Sequence, residues 1–358
     1  MADQIYPTFF IGLGGTGGKT VNRIARKFKT NWNYETLRNS VAFFTFDTDR
    51  GDLEGFSDIP KENRFLLHIP RKKEFVDRVR GAGYLDPDPF YTSWMHPDYG
   101  FHIEGGKGAG QIRIESRLTF TYRIEHPDLQ LGHRDILRAF QDAIGRALDP
   151  DNNATRRQPA YFQIFCFGSI AGGTGSGSFL PLAYTLQHLL QERGWETITS
   201  LCLFDPEVFE PEVQNALKKD IHANGYAALM ETDHFMRLSA EGGHHSLPKK
   251  IRFHTRKAWP RLVDRAPATI VYLCGIPKHF SMEKIASMIN AVADASYFQV
   301  FSPLLGLQEA ESVNFVRHQL GLVQQVFSAH YGAFGCCLLH VPDEDILLYC
   351  GLRFAETA

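Results

Sequence analysis

An excess of charge of either sign is missing from this chain. Its 38 Lys and Arg offset 40 Asp and Glu, for a formal net charge of −2. A nucleic-acid-binding domain carries a basic surplus, so no nucleic-acid partner is expected. Long apolar runs are missing too. No stretch of about 18 apolar residues occurs, so no membrane segment is expected. The opening residues, MADQIYPTFF, lack the basic start and cleavage site of a secretory signal. Cysteine is sparse. The six (Cys166, Cys202, Cys274, Cys336, Cys337, Cys350) form no C-x-x-C pair and sit mostly in apolar runs. They read as reduced core residues of a cytoplasmic protein, not as a disulfide frame or zinc site. Internal repeats and low-complexity tracts are lacking as well.

What remains is ample core material. The 358 residues are 44% apolar and 22% charged, a globular balance. This length suits roughly two domains of ~100–200 residues each. TFFIGLG, SVAFFTFDTD, YFQIFCFGS and ITSLCLFDP are continuous apolar runs, the pattern of strands buried on both faces. KTVNRIARKF places Val21, Ile24, Ala25 and Phe28 at helical spacing, and FLPLAYTLQHLLQERG is an amphipathic helix ending at a glycine. Strands alternating with helices predict an α/β fold with a Rossmann-like, mostly parallel, doubly wound sheet. Residues 57–104 hold Pro60, Pro70, Pro87, Pro89 and Pro97 and read as an excursion from that pattern. A long helix is predicted over 224–240, broken by EGGHHSLPKK. Strands follow near KIRFHTR, ATIVYLCG and GAFGCCLLHV, with helices near SMEKIASMINAVADASYF and VNFVRHQLGLVQQVF. The expected organisation is a nucleotide-binding domain at 1–223, a central helix at 224–243 and a smaller α+β domain at 244–358. The last stretch, DEDILLYCGLRFAETA, starts like a helix and stops, as a chain cut from a longer one would.

The decamer IGLGGTGGKT reads three ways. A Walker A loop ending at Lys19-Thr20 needs glycine where Leu13 stands. The dinucleotide fingerprint fits Gly12, Gly14 and Gly17 between a strand and a helix. It wants an acid about 20 residues on, whereas Asp47 and Asp49 come about 30 on. The third reading is the first phosphate loop of another nucleotide fold. Two further glycine clusters favour it. FGSIAGGTGSGSFLPL (167–182) is again a strand-to-helix turn, with Gly172, Gly173, Gly175 and Gly177 around Thr174, Ser176 and Ser178. GGKGAGQ (105–111) is the other. Glycines let backbone N–H groups crowd round an anion, and a following helix start adds partial positive charge. Such clusters suit loops converging on one polyphosphate.

These residues carry a resemblance. GGTGSG at 172–177 is similar to the signature loop of the tubulin/FtsZ superfamily. GLGGTGGKTVNRI (12–24), FDTD (46–49), GKGAG (106–110), DPEVFEPE (205–212) and ANGYAAL (223–229) resemble its other nucleotide loops, in the same order. The divergent bacterial tubulin-like proteins fit better than any standard member.

The resemblance implies GTP or GDP with Mg²⁺. Gly14, Gly15, Thr16 and Gly17 would wrap the phosphates from one side, and Lys19 stands where the FtsZ branch has a nucleotide-contacting Asn. Gly172, Gly173, Thr174, Gly175, Ser176 and Gly177 would hold the α- and β-phosphates, and Gly108, Ala109 and Gly110 would close over the γ-phosphate. Asp47 and Asp49 would orient the metal, a hard cation suited to carboxylates. Glu210 would bond the ribose and Asn224 the base, while Gln214 replaces an Arg of the family. It further implies head-to-tail filaments, with GTP hydrolysis completed when the next subunit inserts acids from the loop after its central helix. Here Glu241 and Glu283 are the candidate acids. The alternatives are a nucleotide-binding scaffold without turnover and an NAD- or FAD-dependent oxidoreductase.

Overall fold

The computed structural model describes residues 4–31, 33–82, 86–102, 111–126, 135–149, 151, 161–237, 252–254, 263, 265–275, 285–302, 331–332, 349 and 353. The strands are β1 (Thr8–Leu13), β2 (Val41–Asp47), β3 (Arg64–Leu66), β4 (Tyr161–Ser169), β5 (Glu196–Phe204), β6 (Ile270–Cys274) and β7 (Tyr331–Gly332). The helices are α1 (Gly14–Lys29), α2 (Tyr34–Leu37), α3 (Arg50–Gly55), α4 (Lys72–Val79) and α5 (Pro89–Thr92), then α6 (Arg113–Glu125), α7 (Ile136–Ala147), α8 (Gly173–Gln191), α9 (Lys218–Met236) and α10 (Ile285–Phe301).

All described strands lie in one sheet, in the order β3-β2-β1-β4-β5-β6-β7, and every pairing is parallel. A parallel sheet is covered on both faces, which is why its strands read as unbroken apolar runs. Successive side chains point to opposite faces. Phe9, Ile11 and Leu13 of β1 join Ala42, Phe44 and Phe46 of β2 and Phe162, Ile164 and Cys166 of β4 in one core cluster, under α7 and α8. Phe10, Phe43, Phe165, Phe167 and Phe204 face the other way, under Val21, Ile24 and Phe28 of α1 and Val292 and Phe301 of α10. Helices α1 and α8 thus cover opposite faces.

The excursion after β3 builds a core of its own. Phe75, Val76 and Val79 of α4 pack with Tyr91, Met95 and Leu118 of α6. A buried ion pair between Lys72 and Glu115 fastens this region to α6. Glu115 also accepts from Tyr99 Oη at 3.0 Å and from the His102 backbone N–H at 2.8 Å.

The helix expected at 224–240 begins earlier, at Lys218, and its described part ends at Met236. It crosses over from β5 to β6, and β6 continues the same sheet beyond it. The expected boundary at 223/224 therefore falls inside α9. Residues 252–254, part of the strand expected at KIRFHTR, are not in a strand. Among the described residues no helix is long and apolar enough to cross a membrane.

Candidate phosphate-binding site

Strand register builds the site. Leu13 pairs with Phe46 on one side and Gly168 on the other, so β1, β2 and β4 end level with one another. The strand order runs outward from β1 in one direction and from β4 in the other. Ligands of doubly wound sheets bind in the crevice that opens at such a reversal, at the carboxyl ends of the strands.

Both helices that start there begin on glycine. The residues before them, Leu13 and Gly172, make no side-chain cap. Their first N–H groups are therefore left for another acceptor, and the helix dipoles add partial positive charge. The turns approach closely. Gly14 has φ +71°, and a Cβ there would lie 3.3 Å from Thr174 Cβ. Such a backbone suits glycine.

A cavity of about 490 Å³ opens between them, within the ~300–1,000 Å³ of small-molecule sites. Gly14, Gly15 and Thr16 line it from α1, and Gly172, Gly173, Thr174 and Gly175 from α8. Asp47 and Asp49 border it beside Thr48 and Asp52. Two glycine turns some 160 residues apart thus face one space, as the sequence suggested.

Asp47 is the most constrained group present. It is 3% exposed. Its Oδ1 accepts from the Asp49 N–H at 3.2 Å and from Thr174 Oγ1 at 3.4 Å. Thr174 in turn lies 2.9 Å from Thr48 across the cleft, hydroxyl to hydroxyl. Asp47 Oδ2 is buried with no hydrogen-bond partner. Burial pushes the Asp47 carboxyl up to about 7; the Asp49 and Thr48 N–H groups oppose this, and the Asp52 and Asp49 charges add to it. Asp49 is differently employed: its Oδ1 caps α3, accepting from Gly51 N–H at 2.7 Å.

The other expected residues stand elsewhere. A Cβ on Gly17 would meet Phe167 O at 2.2 Å, so this glycine lets α1 pack on β4. Lys19 points to solvent on α1. Ser176 and Gly177 do not line the cavity. The Ser176 hydroxyl turns back to Gly172 O within its own helix, and Gly177 is pressed against Arg113 O of α6. Glu210 pairs with His222 of α9. Asn224 donates to two backbone carbonyls, Gln111 O and Ala171 O, of residues that line the cavity. Gly108, Ala109, Gly110, Glu241 and Glu283 lie outside the described residues.

Sequence reasoning missed Asp52, Gln111 and the apolar rim of Phe209, Val213 and Ile221. Asp52 carried a usable signal, three residues after an Asp at a strand end. The rim carried none, because its residues come from the turn after β5 and from the first turn of α9.

Among the described residues no three His, Cys, Asp or Glu side chains gather closely enough to hold a metal alone. The orphaned Asp47 Oδ2 nonetheless suits a Mg²⁺ bound through one or two carboxylates plus phosphate and water.

A doubly wound parallel sheet with two uncapped helix starts meeting at its strand reversal defines an α/β protein with a candidate anion cradle. Residues 9–358 match the model of the family described as "Tubulin like", and the chain belongs to that family. Among solved structures, CetZ from Methanosaeta thermophila strain DSM 6194 is 13% identical over 90% of this chain and 60% of its own, with a TM-score of 0.43. A GTPγS-form protofilament of Bacillus thuringiensis serovar israelensis TubZ is 15% identical over 84% of this chain and 57% of its own, with a TM-score of 0.42. For CetZ2 from Haloferax volcanii, a GTPγS-bound protofilament, the figures are 16%, 87%, 63% and 0.39. The chain spans about 60% of the length of these proteins. No curated protein matches it.

Proposed function

We propose that this protein binds a guanine nucleotide, with the phosphates between the first turns of α1 and α8. The observation that carries this is the meeting of two uncapped helix N-termini over one cavity at the strand reversal. Gly15, Thr16, Gly173 and Thr174 supply N–H donors to phosphate oxygens, and Thr16 adds a hydroxyl. The apolar rim of Phe209 and Val213 offers the less polar part of the ligand a dry surface. Asp47, with Asp49 and Asp52 beside it, would help hold a Mg²⁺ brought with the phosphates. That ion would neutralise phosphate charge, while the chain's own part is to position the ligand and hold it in a preformed cradle.

The family and the resemblance together support a larger scheme. Copies stack head-to-tail, and hydrolysis of GTP is completed where one subunit meets the next, with Glu241 and Glu283 as candidate acids. β6 and α10 lie with the same sheet, which supports a nucleotide-binding unit that extends beyond residue 223 through α10. The buried free thiols of Cys166, Cys202 and Cys274 suit a reducing, cytoplasmic setting.

Chromatography of the nucleotide released from the purified, denatured protein tests the ligand. Guanine nucleotide is the expected result. An adenine nucleotide or a nicotinamide or flavin dinucleotide in its place overturns the reading, as does failure of both GTP and GDP to raise the unfolding temperature. Pelleting that depends on added GTP checks assembly.

A further inference from the structure

Asn224 stands on α9 where the family resemblance suggests a base-contacting residue. Its hydrogen bonds lie elsewhere. Nδ2 donates to Gln111 O at 2.6 Å and to Ala171 O at 2.9 Å. A primary amide has two N–H donors, and both are committed here. A carbonyl oxygen only accepts, so its two partners fix which way the amide faces. What remains free is Oδ1, an acceptor. Guanine O6 cannot meet it, while the N1–H and N2–H₂ donors of guanine can.

The two carbonyls belong to different walls of the cavity. Ala171 comes just before Gly172, the residue from which α8 starts. Gln111 precedes α6, lines the same cavity and has φ +61°, a left-handed backbone uncommon outside glycine. One side chain from a third element therefore ties both walls and stabilises an unfavourable backbone in one of them. The next residue holds it in place. A Cβ on Gly225 would lie 2.4 Å from Pro206 Cγ, so glycine lets α9 close against the turn after β5.

We infer that Asn224 is a positioning residue that sets the spacing of the α6-side and α8-side walls around the phosphates. The inference rests on the nucleotide reading above. It implies that removing the amide weakens every polyphosphate ligand alike, whatever base is attached.

The test measures dissociation constants of the full chain for GTP, ATP and inorganic tripolyphosphate by calorimetry. Wild type is compared with Asn224→Ala and with Asn224→Leu, which keeps the size but has no N–H and no charge. Two hydrogen bonds are lost, so each variant should bind all three ligands roughly tenfold to a hundredfold more weakly. The ratio of GTP to tripolyphosphate affinity should stay at its wild-type value. A loss confined to GTP, with tripolyphosphate unaffected, overturns the inference in favour of base reading. No loss for any ligand overturns it too. If wild type binds none of the three, the nucleotide reading fails first and this inference falls with it. Should both variants unfold, the wild-type side-chain amide decides. Its protons should exchange slowly in the ligand-free chain and keep their chemical shifts when GTP is added, and fast exchange without ligand refutes the assignment.

Discussion

At the residue scale, Asp47 concentrates the electrostatic tension of the site. Burial raises its carboxyl from 3.8 to about 7. The native state then holds a proton that the unfolded chain has already released, throughout the interval between those values. Stability contributed by this group is full below about pH 4, falls as pH climbs towards 7, and levels off above it. In nucleotide-free, metal-free protein, Asp47→Asn should flatten the change in stability between pH 5 and 8. At pH 8 it should make the fold about 2 kcal/mol more stable, measured by urea denaturation. The same variant should bind nucleotide more weakly when Mg²⁺ is present. A variant less stable than wild type at pH 8 would show that the buried charge carries no cost. None of this tension was readable in FDTD. The motif placed carboxylates at a strand end, but the Thr174 contact of one comes from α8 and the helix-capping duty of the other from α3.

At the element scale, the glycine clusters do two jobs that spacing alone does not separate. Some leave room for a ligand, and some leave room for the chain. Gly175 belongs partly to the second kind, since a Cβ there would lie 2.3 Å from Ser169 O. Gly17 against Phe167 O is the parallel case. Backbone oxygens in strands cannot move aside, so Gly17→Ala and Gly175→Ala should each lose about 1–3 kcal/mol of stability by overpacking. Gly172 differs. Its φ is −88° and a Cβ there meets nothing within 4 Å. Gly172→Ala should leave unfolding within about 0.5 kcal/mol of wild type. Any fall in nucleotide affinity for that variant would then report direct contact with ligand. The sequence showed that two strand-to-helix turns were special. Which glycine faced the cavity and which faced a strand depended on β1–β4 pairing, and local spacing contains no trace of it. Ser176 went astray for the same reason, because in a helix its hydroxyl reaches the carbonyl one turn back instead of the cleft.

At the scale of the molecule, strands were legible and their neighbours were not. β1, β2, β4 and β5 stand out as unbroken apolar runs because both faces are covered. The place of β6 was not legible, since strand order is decided by packing far along the chain. α9 begins with KKDIHA, whose polar residues hid its first turn. Long-range ties complete the body. Arg23 of α1 donates to Asp294 of α10 through Nε at 2.9 Å and Nη2 at 3.1 Å, and Lys27 reaches the same carboxylate at 2.8 Å. Asn31 Nδ2 donates to Tyr297 Oη at 2.8 Å. Burial opposes the Asp294 charge, but the Arg23 and Lys27 bonds outweigh it and hold the carboxyl below its usual value. Asp294→Ala should cost about 1–2 kcal/mol by urea denaturation, as two cations are left facing one another beside a half-dry surface.

The pairing of β1 with β4 also has a consequence in time. Thr8 and Gln163, register partners, are 155 residues apart in the chain. At roughly 5–20 residues per second of synthesis, the first strand waits about 8–30 s for its neighbour. Throughout that delay the nascent polypeptide has only half a cradle. A ligand can therefore assist maturation only after α8 and the residues that brace it have left the ribosome.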